Sequence, residues 1–322
     1  NPIPFRTKMI GNVTSTNKLG AAIPLLYNFM SSNKLTGNLI KGMMGFAKER
    51  PIPQIASETV AKWYKKNKAD NFGYKINPER GKVIFFNDEF TNFLDEHEGK
   101  ITIKLLAKLG FEVIAPKVKE SGRTWLSKGL VSQAKKPIAQ NIQILKDLVK
   151  DGVPMIGIEP SSILIFRDEY LDLTSGAENE IAKEIAKNTF FIDEFISQLI
   201  QDNVITSDMF TEDEELIKLH GHCHQKSLSS VTHTKRMLSL PKNYKVQNIP
   251  SGCCGMAGSF GYEKEHYKVS MEIGELVLFP TVRKQPQEVI IAAPGTSCRH
   301  QIKDGTGVKA LHSIEIFYNA LK

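Results

Sequence analysis

An internal repeat constrains the fold of this chain more than any other feature of its sequence. Three blocks, at residues 83–90, near residue 122 and at residues 159–162, recur in the same order at residues 217–224, near residue 254 and at residues 294–298. The offsets all lie near 134 residues. A fixed period of this kind predicts two copies of one α/β unit, the alternative being chance similarity between glycine-containing loops.

Short runs rich in β-branched and aromatic residues alternate with helical patterns. This alternation predicts parallel strands with crossover helices, in a doubly wound, Rossmann-like arrangement. Two amphipathic helices, at residues 177–187 and 190–202, are expected to bridge the two copies. The predicted strands are residues 82–86, 112–115, 154–158, 216–220, 244–249 and 288–292.

The first 75 residues differ in composition from the rest. They contain 12 Lys or Arg and 3 Asp or Glu, a net charge of +9, whereas the whole chain carries +7. We predict an extended, partly helical basic arm, or else a simple solvated basic face; no nucleic-acid motif accompanies the charge, so a nucleic-acid partner is not expected. The predicted divisions are an arm at residues 1–78, a first unit at 79–205 and a second unit at 206–322.

No apolar run approaches the ~18 residues that cross a bilayer, and no secretory segment opens the chain. Its few, clustered cysteines indicate a reducing compartment. We therefore expect a cytoplasmic protein, at most peripheral at the inner face of the membrane. Because the first residue is Asn and not Met, we also expect a piece or subunit of something longer.

All four cysteines lie in the last third of the chain, in short blocks rich in Gly or His that each follow a predicted strand. Such blocks favour one thiolate site at the carboxyl ends of parallel strands, where ligand crevices form. Thiolates from three distant loops favour an iron–sulfur cluster over zinc, which prefers paired ligands, although zinc and an empty thiol site remain alternatives. The candidate ligands are Cys223, Cys253, Cys254 and Cys298.

Longer strings around these cysteines carry a family resemblance. They read His-Gly-His-Cys-His-Gln-Lys-Ser-Leu at 220–228, Cys-Cys-Gly-Met-Ala-Gly-Ser-Phe-Gly-Tyr-Glu at 253–263 and Gly-Thr-Ser-Cys-Arg-His-Gln-Ile at 295–302. They resemble the cysteine-rich CCG domain found in heterodisulfide reductase and in the iron–sulfur subunits of glycolate oxidase. They also resemble the C-terminal part of fused flavoproteins that join an FAD-linked oxidase, a ferredoxin-like domain and a CCG module, and oxidise D-lactate or D-2-hydroxyglutarate.

Two departures from the family pattern matter. The full pattern ends in Cys-x-x-Cys, whereas residues 293–298 contain one cysteine, so a five-cysteine cluster is not expected. The matching loops of the first unit, at residues 120–123 and 159–162, contain none. We therefore expect that unit to hold no metal, and its loops to meet through a polar contact between Arg123 and Glu159.

Polar groups beside the cysteines are expected to donate hydrogen bonds to a cluster or to bind a small acidic or quinone-like molecule. Glycine after the cysteine pair permits close backbone approach. The alternatives are backbone-bonded loop histidines, a surface arginine, and a three-histidine zinc site made by His220 and its neighbours. The residues expected in these roles are His222, His224, Gly255, Arg299 and His300.

The resemblance implies an iron–sulfur electron-transfer module, with a 4Fe-4S cluster expected, that takes electrons from a flavin and passes them to an acceptor such as a quinone. FAD and the ferredoxin-like clusters would belong to upstream domains or subunits, because the chain has no Cys-x-x-Cys-x-x-Cys run. No catalytic residue is assigned. The rival hypotheses are a redox-inert scaffold with structural zinc or no metal, and a thiol–disulfide enzyme that uses Cys253 and Cys254.

Overall fold

The computed structural model describes residues 2–322. Its N-terminal region is mostly helical, which confirms the helical part of the expected arm and corrects the extended part. Side chains cap two of its short helices: Asn33 accepts hydrogen bonds from two backbone amides of the next helix and Thr59 from one. The helices of this region are α1 Phe5–Gly11, α2 Val13–Gly20, α3 Pro24–Ser32, α4 Lys34–Met44 and α5 Val60–Asn67.

A four-stranded parallel sheet, in the order β2-β1-β3-β4, forms the centre of the first unit. Its strands are β1 Lys82–Phe85, β2 Glu112–Ile114, β3 Met155–Gly157 and β4 Thr189–Phe191. The last of these strands occupies the first two residues of the predicted helix at 190–202, whose residues 192–201 are helical as expected. The strand runs into that helix without a loop, so the two elements read as one in the sequence. The helices are α6 Glu89–Phe93, α7 Glu96–Lys108, α8 Arg123–Leu126, α9 Val131–Leu145, α10 Pro160–Ile163, α11 Glu169–Leu173, α12 Gly176–Lys187 and α13 Ile192–Gln201.

The second unit repeats this plan around a parallel sheet in the order β6-β5-β7. Its strands are β5 Glu215–Leu219, β6 Tyr244–Asn248 and β7 Ile290–Ala292. Its helices are α14 Cys223–Leu228, α15 Val231–Leu238, α16 Tyr267–Leu276, α17 Leu278–Arg283, α18 Thr296–Thr306 and α19 Ser313–Asn319. Short 3-10 helices also occur in the chain, at Lys68–Gly73, Lys150–Gly152, Leu164–Arg167, Ser207–Met209 and Phe260–Tyr262.

The positions of the strands show that the sequence repeat is also a structural repeat. β5, β6 and β7 begin 133, 132 and 135 residues after β1, β2 and β3, and each set of three has the same order. β4 also has a counterpart in the second unit, reduced to a single parallel bridge between Ala292 and Leu311. α19 follows this bridge in the sequence, just as α13 follows β4. The predicted α/β fold with two parallel-sheet, Rossmann-like units is confirmed.

Each unit packs its last helix against the other unit. α13, the last helix of the first unit, packs against α15, while α19, the last helix of the second, packs against α7. Between them, buried Asp193 of α13 accepts hydrogen bonds from the hydroxyls of Thr234 at 2.5 Å and Ser313 at 3.0 Å. One hydrophobic core includes buried side chains of both units, from Val83 to Phe317. The division points at residues 78 and 205 remain predictions.

Candidate metal centre

Each cysteine lies just beyond the carboxyl end of a strand in the second unit. Cys223 is the first residue of α14, which follows β5. Cys253 and Cys254 lie in the loop after β6, and Cys298 lies in the first turn of α18, after β7. Because these strands are parallel neighbours, their carboxyl ends share one edge of the sheet, and residues distant in sequence meet there.

The four thiols are free and interact in series. The Cys223 thiol interacts with that of Cys253, Cys253 with Cys254, and Cys254 with Cys298. These sulfur–sulfur contacts raise the pKa of the first and third thiols and lower the pKa of the second and fourth. Cys254 and Cys298 are buried, Cys223 is half-buried and Cys253 is exposed. The four cysteines therefore extend from the buried interior to the solvent.

The imidazole of His220 lies at the buried end of this series. One of its ring nitrogens and the sulfurs of Cys254 and Cys298 lie within 4.8 Å of one another, and all three residues are buried. Nδ1 of the ring hydrogen-bonds with the Ser251 hydroxyl at 2.7 Å, whereas Nε2 is buried without a hydrogen-bond partner. A buried nitrogen without a partner is rare because it is costly, and an imidazole held at Nδ1 can offer Nε2 to a metal. Thiolate sulfur and imidazole nitrogen thus form a donor set that suits iron–sulfur clusters or zinc.

The sequence expectations include His220 only in the three-histidine alternative. That arrangement does not form, because β5 ends at Leu219 and the following residues do not alternate between faces. Instead His222 caps α14, its Nδ1 accepting from the amide of His224 at 3.2 Å, and the two rings stack with centroids 5.5 Å apart. Burial, with the nearby charges of Arg123 and His222, lowers the pKa of His224 to about 4. The signal that identifies His220 is its place directly after β5, ahead of the cysteine block.

Gly295 stands where the family pattern has its additional cysteine. A Cβ atom at Gly295 would lie 2.3 Å from Cδ2 of His222, and His222 is only 7% exposed. The imidazole therefore fills the space that a longer side chain at residue 295 would need. A cysteine at residue 295 would clash with His222 in its present position, so the absence of that cysteine and the position of the histidine are linked.

Carboxylates from the first unit hold the helix that carries Cys298. The amide and hydroxyl of Thr296 donate to Glu159 at 2.9 and 3.0 Å. Burial opposes ionisation of Glu159, but His222 and the hydrogen bonds from Ser161 and Thr296 lower its pKa. The expected contact between Arg123 and Glu159 is wrong, because Arg123 pairs with Glu169 while Glu159 reaches across to α18.

Arg299 is buried between the units and not displayed on a surface. Its Nη2 lies 2.6 Å from a carboxylate oxygen of Asp95, in the first unit. Its Nη1 donates to the carbonyls of Ala293 and Pro294 at 3.1 and 2.9 Å. Burial opposes ionisation of Asp95, but the guanidinium and a hydrogen bond from Thr296 lower its pKa. The charge of Arg299 is thus neutralised within the chain, and a role in binding an external acid remains a prediction.

His300 and Gly255 lie close to the cysteines in sequence and are also held by the protein. Nδ1 of His300 is 3.1 Å from the hydroxyl of Tyr262, and burial lowers its pKa. Gly255 has φ +95°, and a Cβ there would lie 2.2 Å from the carbonyl oxygen of Ser270. Its amide donates to Cys253 Sγ at 3.3 Å. Glycine is required at 255 because both the dihedral angle and the close backbone contact exclude a side chain.

In the first unit, other side chains occupy the positions of the four thiols. In the aligned repeats these are Phe90, Glu120, Ser121 and Ser162. Glu89, which aligns with His222, accepts hydrogen bonds from the amide and hydroxyl of Ser121 at 2.8 and 2.7 Å. The hydroxyl of Ser162 is buried without a partner. This edge of the first sheet offers a phenyl ring, a carboxylate and hydroxyls, which form a poor site for a soft metal.

No helix within residues 2–322 combines the length and apolar character needed to cross a bilayer. No protein-family model matches the chain. The chain is 24% identical over 328 residues to D-2-hydroxyglutarate dehydrogenase of Escherichia coli, which covers 99% of this chain and 31% of that enzyme. It therefore spans about three tenths of the length of such relatives.

Two shorter relatives match most of their own length. One subunit of the anaerobic glycerol-3-phosphate dehydrogenase of Escherichia coli is 24% identical over 298 residues, covering 92% of this chain and 72% of its own length. Lactate utilization protein A of Bacillus subtilis is 26% identical over 246 residues, covering 73% of this chain and 98% of that protein. The expected similarity to D-2-hydroxyglutarate dehydrogenases is confirmed, and the chain is similar both to a part of a large dehydrogenase and to most of two smaller proteins.

Proposed function

We propose that this chain is the iron–sulfur electron-transfer module of an FAD-linked D-2-hydroxy-acid dehydrogenase. The observation that carries the proposal is the meeting of Cys254, Cys298 and the unpartnered Nε2 of buried His220 at one sheet edge, with two more free cysteines in the adjoining loops. Similarity to a D-2-hydroxyglutarate dehydrogenase, to one subunit of another dehydrogenase and to a lactate utilization protein supports an oxidoreductase role.

The four cysteines would supply the thiolates, and His220 would ligate or donate a hydrogen bond at the buried end. A bound iron–sulfur cluster supplies one-electron transfer at a potential set by its ligands, hydrogen bonds and solvent exposure. The residues of the chain control those factors: Ser251 orients His220, the amide of Gly255 contacts Cys253, and Glu159 fixes the helix that carries Cys298. The exposed position of Cys253 offers a short route to a partner at the surface.

The partners in this proposal are upstream FAD-linked oxidase and ferredoxin-like domains or subunits. The hydroxy acid would be oxidised at the flavin, and electrons would pass through this chain to an acceptor such as a quinone. A 4Fe-4S cluster fits four thiolates, and a cytoplasmic setting fits free thiols. This chain by itself is not expected to oxidise the hydroxy acid.

Anaerobic isolation of the whole protein tests the proposal. We expect iron and acid-labile sulfide in the chain, visible absorption that bleaches on reduction, and an electron paramagnetic resonance signal that the Cys254→Ser variant lacks. Protein that is folded and contains neither iron nor sulfide, after anaerobic reconstitution as well, would refute it.

Structural zinc in a redox-inert module is the second candidate, because His220, Cys254 and Cys298 resemble part of a zinc ligand set. Metal analysis of the same preparation separates the two functions. One zinc per chain without sulfide, retained under reduction, would favour the scaffold role.

A further inference from the structure

The N-terminal helices expose an unusual amount of apolar surface. Of the fourteen large hydrophobic side chains exposed in the described residues, ten lie between residues 5 and 43. Most scattered surface hydrophobics need no explanation, but a concentration of this kind indicates an interaction surface. The ten are Phe5, Leu19, Ile23, Leu25, Leu26, Phe29, Met30, Leu35, Leu39 and Met43.

The apolar side chains follow the helical repeat on two neighbouring helices. On α4, Leu35, Leu39 and Met43 recur every four residues and are 83%, 65% and 70% exposed. On α3, Leu25 and Phe29 have the same spacing and are also exposed. α3 and α4 pack against each other, but these side chains are not used in that contact. We call this α3–α4 face the apolar hairpin.

Helices α1–α4 carry charge of one sign, and the nearest acidic residue in the sequence is exposed Glu49. Residues 1–48 contain no Asp or Glu, and four lysines in this stretch are exposed: Lys8, Lys18, Lys34 and Lys48. A protein-binding surface usually mixes both signs at its rim. Exposed Leu, Phe and Met on helices whose charged residues are all cations are the features of helices that lie in the interface of an anionic bilayer.

We propose that the apolar hairpin docks on the surface of a membrane that contains anionic lipid. The side chains of α3 and α4 enter the boundary between headgroups and acyl chains, while the neighbouring lysines contact lipid phosphates. The helices are too short to cross the bilayer, so the protein lies on the membrane. This docking is independent of whether the cysteines hold iron.

Contacts within the chain connect the docking surface to the cysteine loop. Arg50, fully buried just after this region, donates to the carbonyl of Gly261 at 2.8 Å and pairs with Asp304 at 2.8 Å. The amide of Ala47 donates to the carbonyl of Tyr262 at 2.8 Å. Residues 260–263 lie six to nine residues after Cys254 in the sequence. If the proposed electron-transfer function holds, docking brings this loop toward a lipid-soluble acceptor.

Flotation with lipid vesicles tests the docking. The whole protein should float with vesicles of phosphatidylcholine and phosphatidylglycerol at low salt, and much less with phosphatidylcholine alone or at high salt. The triple variant Leu35→Gln/Leu39→Gln/Met43→Gln should bind on the order of a hundredfold more weakly, because three exposed apolar side chains no longer enter the interface. Each of Lys18→Gln and Lys34→Gln should weaken binding roughly fivefold.

Val269→Gln/Leu276→Gln is the matched control, since both side chains are exposed but lie on α16; it should bind as the parent does. Cys254→Ser should also bind unchanged, which separates failure of the docking from failure of the metal centre. Absence of vesicle binding, equal binding by the triple variant and the control, or light scattering that shows the apolar hairpin joining two copies of the protein would overturn the proposal.

Discussion

The two units share a backbone plan and differ at the edge where ligands would bind. The glycine after each second-strand loop has the same conformation, φ +94° at Gly122 and +95° at Gly255. Around it, the second unit gathers four thiols and an unpartnered imidazole, whereas the first pairs Glu89 with Ser121. The fold therefore does not require the thiols, and their presence in one copy only indicates a function that belongs to that copy.

The first unit still contributes to the site from outside. Asp95 and Glu159 both reach α18 of the second unit, where they hold Thr296 and Arg299. The two copies of the repeated fold therefore have different roles. One copy displays the candidate ligands, and the other positions the helix that carries Cys298.

The largest expected contrast compares equivalent positions of the two units. Cys298→Ser should abolish the iron and sulfide bound at this site, and so should Cys253→Ser and Cys254→Ser, because each removes a thiolate ligand. Ser162→Ala, at the position equivalent to Cys298, should leave both contents unchanged. Iron and sulfide assays on anaerobic protein measure this, and parental contents in the cysteine variants would break the contrast.

The second contrast concerns ion pairs between and within units. Asp95→Ala should lower the free energy of unfolding by about 3–5 kcal/mol, because it leaves the Arg299 guanidinium buried without its partner. Glu169→Ala breaks the half-exposed pair with Arg123 inside the first unit and should cost about 0–1 kcal/mol. Denaturant unfolding measures both. Equal losses of unfolding free energy would show that the Asp95–Arg299 contact between the units stabilises the protein no more than the Arg123–Glu169 contact within one unit.

The two equivalent glycines offer a finer comparison. Alanine at either position must adopt positive φ, which costs about 1–2 kcal/mol. At Gly255 the new Cβ also meets the carbonyl oxygen of Ser270 at 2.2 Å, whereas at Gly122 the nearest atom is Cγ1 of Ile138 at 3.4 Å. Gly255→Ala should therefore lose about 1–3 kcal/mol more than Gly122→Ala and also lose metal. Thermal unfolding with metal analysis checks the order, and the reverse order would contradict it.

The last expected effect is a pH dependence at the contact between α13 and the second unit. Burial raises the pKa of Asp193 to about 7 in the folded protein, partly offset by hydrogen bonds from Thr234 and Ser313. The folded state then holds a proton that the unfolded state releases near pH 4, so the free energy of unfolding falls by at most about 1.4 kcal/mol per pH unit between roughly pH 4 and 7. Asp193→Asn should reduce that slope. Unfolding at several pH values measures it, and parallel profiles for parent and variant would exclude the effect.

The alternation of strands and helices was readable from sequence because it rests on local patterns. Six of the seven strands lie within a residue or two of their predicted positions. β4 was missed because Thr189–Phe191 leads straight into α13 without a loop, so its residues read as part of the helix. The N-terminal helices were underestimated because helices of 7 to 11 residues give only a weak periodic pattern.

Sequence alone determined that the chain repeats one α/β unit and that four cysteines follow strands of the second copy. Parallel strands end at a common edge, so this much required only local order and the count of residues between blocks. Tertiary structure decided which other side chains join them. His220 lies beside Cys254 and Cys298 through the meeting of three strand ends, and Asp95 lies 204 residues before the Arg299 that it neutralises. Such pairings depend on how the two copies pack against each other, and no local period encodes that packing.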